Sequence, residues 1–452
     1  MSVYPYLDRE NVTLMLILIA ALIIDTIIAN IYDLISNEVN SGSGVSLFII
    51  ISGIFCGAGL IFLFRFIRES GTRKKASLAS DKLYKLIIIS QLLITALFLA
   101  MISQMVLTSQ YYTIWLIIVL IVSDIPYYVT FCILTKRLFS WYRSSKRNII
   151  VLLFGLVTAS FIMASALFDA MVLSILSAGP KVIQSSTFGA RGELNYDFSS
   201  IAVNSDLYGE LGVIFDVGGF ISLWIISAVL LYDYSHRIGK STTYWMVIFL
   251  PIAFLLIGIY PTLLAYPDSG VFFEKHLIMY RILVTFGGIA SGILFCVLFL
   301  ILARGVRQIR EKIVADYLKI AGYGIALIAL SLIVVIVVIP YPPFGIATCA
   351  ALALGSYLYY VGMYSSVISI SENMELRRSI KRAAINELKP FDSIGTAQMS
   401  VRLQEEVRKL VKEHSNKMIQ EAEVMPNISE EDAKKYLQEV LNEINKQRTS
   451  NK

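Results

Sequence analysis

The sequence predicts an all-α protein, a polytopic bundle of about ten transmembrane helices with a short cytoplasmic helical tail. Three observations carry that prediction: an excess of apolar residues, their grouping into membrane-length runs, and a regular alternation of basic and base-poor loops. Of 452 residues, 56% are hydrophobic and 16% are charged. The mean hydropathy is +0.69. Soluble chains average roughly 45–50% apolar and about 25% charged residues. Residues 371–452 hold 29 of the 72 Asp, Glu, Lys and Arg, so the first 370 residues are poorer still in charge. Lipid absorbs that much apolar surface, whereas a soluble core cannot.

About 20 apolar residues cross a hydrocarbon layer some 30 Å thick. Runs of that kind fall at 12–36, 46–67, 84–107, 112–135, 149–176, 213–233, 243–265, 277–303, 318–339 and 345–370. They are continuously apolar rather than alternating, so they read as helices and not as barrel strands. Met1–Glu10 is mixed in character and the run after it is long enough to span, so the first segment reads as a retained helix rather than a cleaved signal.

Orientation follows from the basic residues. Arg68, Arg73, Lys74, Lys75 and Lys82 follow span 2, and Lys136, Arg137, Arg143, Lys146 and Arg147 follow span 4. Arg237 and Lys240 follow span 6, while Arg304, Arg307, Arg310 and Lys312 follow span 8. The other loops offer only Lys181, Arg191 and Lys275. Basic loops stay inside, which places both termini in the cytoplasm of a cell membrane. The net charge of +6 is then the sum of basic loops at a lipid surface and not a nucleic-acid footprint.

Two domains result: residues 1–370 form the bundle and residues 371–452 the tail. The outward loop 177–212 is long and mildly acidic, with Glu193, Asp197, Asp206 and Glu210. It reads either as a binding loop or as a solvated connector.

Ionisable residues at membrane depth are costly and are the candidates for function. By depth, Asp169, Asp216 and Arg281 share the outer third of the membrane and suggest a ligand cavity or an ion pair that locks helix packing. Gln104, Tyr260, Pro261, Glu274, Lys275 and His276 lie nearby by the same reckoning. Asp25 and Asp124 fall near the centres of their spans and suggest a proton or ion site. Pro126, two residues after Asp124, removes a backbone donor and frees a carbonyl, as in the broken helices of transporters. The long loop, the charges and the prolines do not recur at matching places, so no 5+5 repeat is visible. Gly53-x-x-x-Gly57 and Gly288-x-x-x-Gly292 are expected to be internal helix contacts.

Cys56, Cys132, Cys296 and Cys349 lie in apolar runs without C-x-x-C spacing, and His236, His276 and His414 are scattered. No metal site, cofactor motif or nucleophile–base pair is visible, and the chain reads as non-enzymatic.

In the tail, Met399, Leu403, Val407, Leu410, Val411, His414 and Met418 recur at helical spacing. After Pro426, Ser429 looks like an N-cap for a helix with the stripe Tyr436, Leu437, Val440, Leu441 and Ile444. Residues 396–446 therefore offer helices, of coiled-coil character, for self-association or a protein partner. Arg377, Arg378, Lys381 and Arg382 suit an anionic lipid surface. The stretch Tyr364-Ser-Ser-Val-Ile-Ser-Ile-Ser371, with Leu376-Arg-Arg-Ser-Ile380 and Phe391-Asp-Ser-Ile-Gly-Thr-Ala-Gln-Met399, is similar to the tail of uncharacterised multi-pass membrane proteins of archaea. That resemblance implies a prokaryotic cytoplasmic membrane.

These features point to a sensor or signalling-type module, in which an outward polar cavity is coupled through span 10 to the tail. A secondary transporter using Asp25 and Asp124, or a structural subunit of a membrane complex, are the alternatives. The orientation is open to a direct check. Cysteines placed at Ser77, Ser144 and Ser241 should resist an impermeant thiol reagent in intact cells, and one at Ser199 should label. Labelling at Ser144 without permeabilisation would reverse the assignment.

Overall fold

The computed structural model describes residues 9–35, 41–71, 78–144, 149–178, 182–184, 208, 211–229, 245, 249, 252–253, 269–308, 312–333 and 341–372. Among them, nine helices are long and apolar enough to cross a membrane. In chain order they are α1 (Arg9–Ile35), α2 (Ser41–Gly71), α3 (Leu78–Thr108), α4 (Thr113–Ser144) and α5 (Ile149–Ala178). Then come α6, carrying the span Leu211–Val229, α7 (Ser269–Gln308), α8 (Lys312–Ile333) and α9 (Ile346–Glu372). The chain is thus an all-α polytopic bundle. The predicted span 243–265 lies outside the described residues except for Trp245, Phe249, Ile252 and Ala253, which are helical. The tail beyond Glu372 and most of loop 177–212 lie outside them as well.

The helix α9 is the axis of the bundle. It packs most extensively on α8 and also touches α1, α2, α3 and α4. Composition explains its place. The two least apolar spans, α8 and α9, are also the two most buried, whereas the strongly apolar α1, α2 and α3 expose much of their surface. Side chains facing lipid must be apolar, but a helix sheathed by other helices can carry Ser, Thr and Tyr. Backbone contact through small residues then replaces side-chain packing. A Cβ at Gly324 would stand 2.4 Å from the backbone nitrogen of Tyr359, and one at Gly362 would stand 2.4 Å from that of Ala321. The α8–α9 seam therefore tolerates only glycine at these two places. Of the two predicted glycine pairs, Gly292 meets Ala329 of α8, as an internal contact should. Gly53 and Gly57 have nothing within 4 Å of a Cβ among the described residues, so these two positions make no close helix contact there.

The start of α9 is buried, and its end groups need partners. An α-helix leaves its first N–H groups without intrahelical acceptors, and lipid supplies none. Gly345, at a φ of 91°, precedes the helix and has no side chain to cap it. Asp25 of α1 does so instead. Its Oδ1 accepts the N–H of Gly345 at 2.9 Å, while its Oδ2 accepts the N–H of Thr348 at 3.0 Å and the Thr348 hydroxyl at 2.9 Å. Thr26 backs the site by donating to the Leu22 carbonyl at 2.8 Å. A capping box normally takes these roles from within the helix; here one carboxylate from 320 residues away fills both.

One end of the bundle is closed by a small antiparallel sheet, β1 (Gln110–Tyr112) with β2 (Val182–Gln184), in register Tyr111 to Ile183. Ser109, at a φ of 51°, ends α3 and bonds back to the Met105 carbonyl at 3.0 Å. Tyr341 stacks on Tyr111 with ring centroids 6.1 Å apart and donates to the same carbonyl at 3.3 Å. A strand inside the predicted loop 177–212 has no period-two signal of its own; β1 supplies its partner. The opposite end carries Lys136, Arg137 and Arg143 of α4 and Arg304 and Arg307 of α7.

Removing the cap leaves buried donors unsatisfied at about 1–3 kcal/mol each. Asp25→Ala should lower the stability of the purified protein by on the order of 3 kcal/mol or more, with Asp25→Asn losing less because one acceptor oxygen remains. A melting profile of Asp25→Ala matching the wild type would show that the cap is dispensable.

Candidate functional site

Three acidic residues of the spans gather between α4, α5 and α6. On α4, residues 123 and 127 share one face and 124 and 128 the next, because positions four apart stack along a helix. The first pair looks toward α9: the Ser123 hydroxyl donates to the carbonyls of Cys349 at 3.1 Å and Ala350 at 3.2 Å. The second pair looks toward α5. There the Tyr128 hydroxyl donates a short hydrogen bond to Oδ2 of Asp169 and lies 3.5 Å from the Ser165 hydroxyl, one turn away on the same face. The carboxyl of Asp124 lies within electrostatic reach of that of Asp169. Two carboxyls brought this close can share a hydrogen bond only when one of them is protonated.

Asp216 brings a third carboxyl. A Cβ at Gly212 would meet the ring of Phe168 at 3.3 Å, and one at Gly219 would meet that of Phe161 at 2.9 Å. These glycines let α6 lie close against α5, with Asp216 midway between them and level with Ser165. Asp216, Asp169 and Asp124 all act electrostatically on the buried hydroxyl of Tyr127. Asp124 is buried, while Asp169 and Asp216 are half-buried. Among the described side chains, the ion pairs are Arg65 with Glu10 and Lys319 with Asp316, and neither touches the cluster.

Pro126 sits inside α4 without ending it. Its missing N–H leaves the Val122 carbonyl free, and the Ser90 hydroxyl of α3 donates to that oxygen at 2.8 Å. The freed carbonyl expected from the sequence is therefore present, and α3 holds it.

The predicted site residues are thus redistributed. Asp124 and Asp169, assigned to different sites by depth, come within electrostatic reach of each other, and Asp216 shares with them an action on Tyr127. Asp25 is apart, engaged with the N-terminus of α9. Arg281 is on α7, and its side chain lies outside the described part of the structure, as do those of Glu274, Lys275 and His276. Gln104 accepts from the indole of Trp115 at 2.8 Å. Among the described residues, no three His, Cys, Asp or Glu side chains are placed to hold a metal ion. All four cysteines are free; three are buried and Cys132 is exposed. Tyr128 is one of the two tyrosines that follow Asp124 and Pro126; Ser165 had not been singled out, although it lies four residues before Asp169, the spacing that would have found it. No known protein family, curated protein or solved structure matches the chain.

The cluster should behave as one unit. In a double-mutant cycle on the purified protein, Tyr128→Phe and Asp169→Asn should be coupled by about 1–2 kcal/mol, as expected for a hydrogen bond to a charged group in low dielectric. Strictly additive losses would mean that the phenol does not stabilise Asp169.

Proposed function

We propose that the protein is a secondary transporter in which the Asp124–Asp169 pair, with Asp216 and Tyr128, binds the coupling proton. The observation behind this reading is the approach of two carboxyls inside the spans, one of them taking the Tyr128 hydroxyl, with no described cation beside them. A structural acid in lipid is served by a cation or by backbone donors, as Asp25 is. The pair is instead held together by a proton, which can leave and return. Tyr128 steadies the charge that remains. The Pro126 site beside the pair, with a helix carbonyl satisfied by a neighbouring helix, resembles the discontinuous backbone that transporters place at their binding sites. On the positive-inside pattern, the β-sheet end faces outward and the basic end faces the cytoplasm.

A sensor or signalling module is the second reading. The contact between Ser123 and the carbonyls of α9 favours it, because the residue beside Asp124 grips the helix that leads toward the tail. In that case the cluster would report on protons or a ligand, and the 396–446 helices would pass the state to a partner or a second copy.

Reconstitution into liposomes separates the two. With a pH indicator inside and an imposed pH gradient, a panel of small organic solutes should include one that dissipates the gradient. Dissipation should be at least tenfold slower with Asp124→Asn or Asp169→Asn. Equal rates in wild type and Asp124→Asn would remove the pair from the coupling step, and a sodium requirement in place of the proton gradient would contradict the proton assignment.

A further inference from the structure

Three tyrosines below the cluster carry hydroxyls without an obvious purpose. Tyr127, Tyr359 and Tyr360 are each no more than 1% exposed, and none of their hydroxyls has a hydrogen-bond partner among the described residues. A buried phenol lacking a partner is costly, and phenylalanine would fill the same space more cheaply. All three are on α4 and α9, the two helices joined by the Ser123 contact.

Their rings fall into two groups, one after the other, toward the basic end, and the neighbouring positions Tyr359 and Tyr360 lead from one to the next. Tyr127 packs on Phe131 with centroids 4.7 Å apart, and Phe131 packs on Tyr359 at 5.9 Å. Tyr360 stacks on Tyr364 at 5.5 Å, and the Arg137 guanidinium lies 3.8 Å from the centre of the Tyr364 ring. Trp141 also stacks on Tyr364, with ring centroids 6.2 Å apart. The two ends of the series meet charge. The Tyr127 hydroxyl is within electrostatic reach of Asp124, Asp169 and Asp216, and that of Tyr360 is within reach of Arg137. From Tyr127 to Arg137 the series covers about 15 Å along α4.

We propose that Tyr127, Tyr359 and Tyr360 line a thread of internal water that links the carboxyl cluster to the basic end of the bundle and conducts protons between them. Internal water is the ordinary partner of polar groups buried in this way, typically making about three hydrogen bonds. The hydration stands on the hydroxyls alone; the conducting role rests on the proton reading of the cluster. A proton leaving Asp124 passes to the adjacent water, and each following water or phenol accepts one proton and releases another. Every phenol ends as it began, and the carboxyl pair is one proton poorer. Arg137 closes the route to cations other than a hopping proton by repelling them at its mouth.

Radiolytic hydroxyl-radical footprinting of the full chain in lipid nanodiscs tests the hydration, because radicals formed from internal water mark the side chains touching it. Tyr127, Tyr359 and Tyr360 should be oxidised at least tenfold faster than Phe55 and Phe98, which are equally buried and pack on each other with centroids 6.0 Å apart. Equal protection of all five residues would overturn the water thread whatever the cluster does. The triple variant Tyr127→Phe, Tyr359→Phe, Tyr360→Phe in liposomes tests conduction. Its proton flux should fall at least fivefold while the Tyr128–Asp169 coupling is kept. Unchanged flux through the triple variant, alongside lost flux in Asp124→Asn, would leave the cluster reading in place and overturn the route.

Discussion

The bundle depends on how the buried beginning of α9 is satisfied. A helix that starts inside a membrane protein exposes N–H groups where no water can reach them, and each must find an acceptor or destabilise the fold. Asp25 provides that acceptor for both the residue before the helix and the third residue within it. The same contact ties α1 to the last span and so closes the bundle between its first and last described helices. Because α9 is anchored in this way and sheathed by five neighbours, it can afford the polarity that the other spans cannot. The Gly324 and Gly362 contacts, the donation from Ser331 to the Thr348 carbonyl at 2.6 Å, and the grip of Ser123 on α9 all follow from that central position.

Two kinds of buried acid emerge. Asp25 accepts three hydrogen bonds, all from the start of α9. Its chemistry is complete within the fold. Asp124 and Asp169 instead lie within reach of each other, and the proposed function has them share one proton. Such a pair is sensitive to anything that brings charge or water close. The proposed transport role lives in this second kind of site, and the first kind holds the helices on which it is built.

Much of the architecture was legible in the residues. Apolar runs and basic loops mark the spans because lipid selects directly on side-chain polarity, and the acidic positions stand out for the same reason. The effect of Pro126 followed from its missing donor. What stayed hidden was pairing across the chain. Depth along a span separates Asp124 from Asp169, but depth says nothing about which helices are neighbours, and the α4–α5 and α5–α6 contacts were needed to join them. Asp25 looked like a site residue because its partners are backbone N–H groups, which every sequence contains and none advertises. The low apolarity of α8 and α9 was the available sign that they lie at the centre. The pair Gly53 and Gly57 shows the converse, since a small-residue spacing permits close approach without requiring it.

The shared proton is the claim on which the functional account turns, and infrared spectroscopy reads it directly. The full chain in lipid at neutral pH should show a protonated carboxylic C=O stretch that persists in Asp25→Asn and vanishes in both Asp124→Asn and Asp169→Asn. Absence of that band in the wild type, or its survival in both cluster variants, would contradict the account.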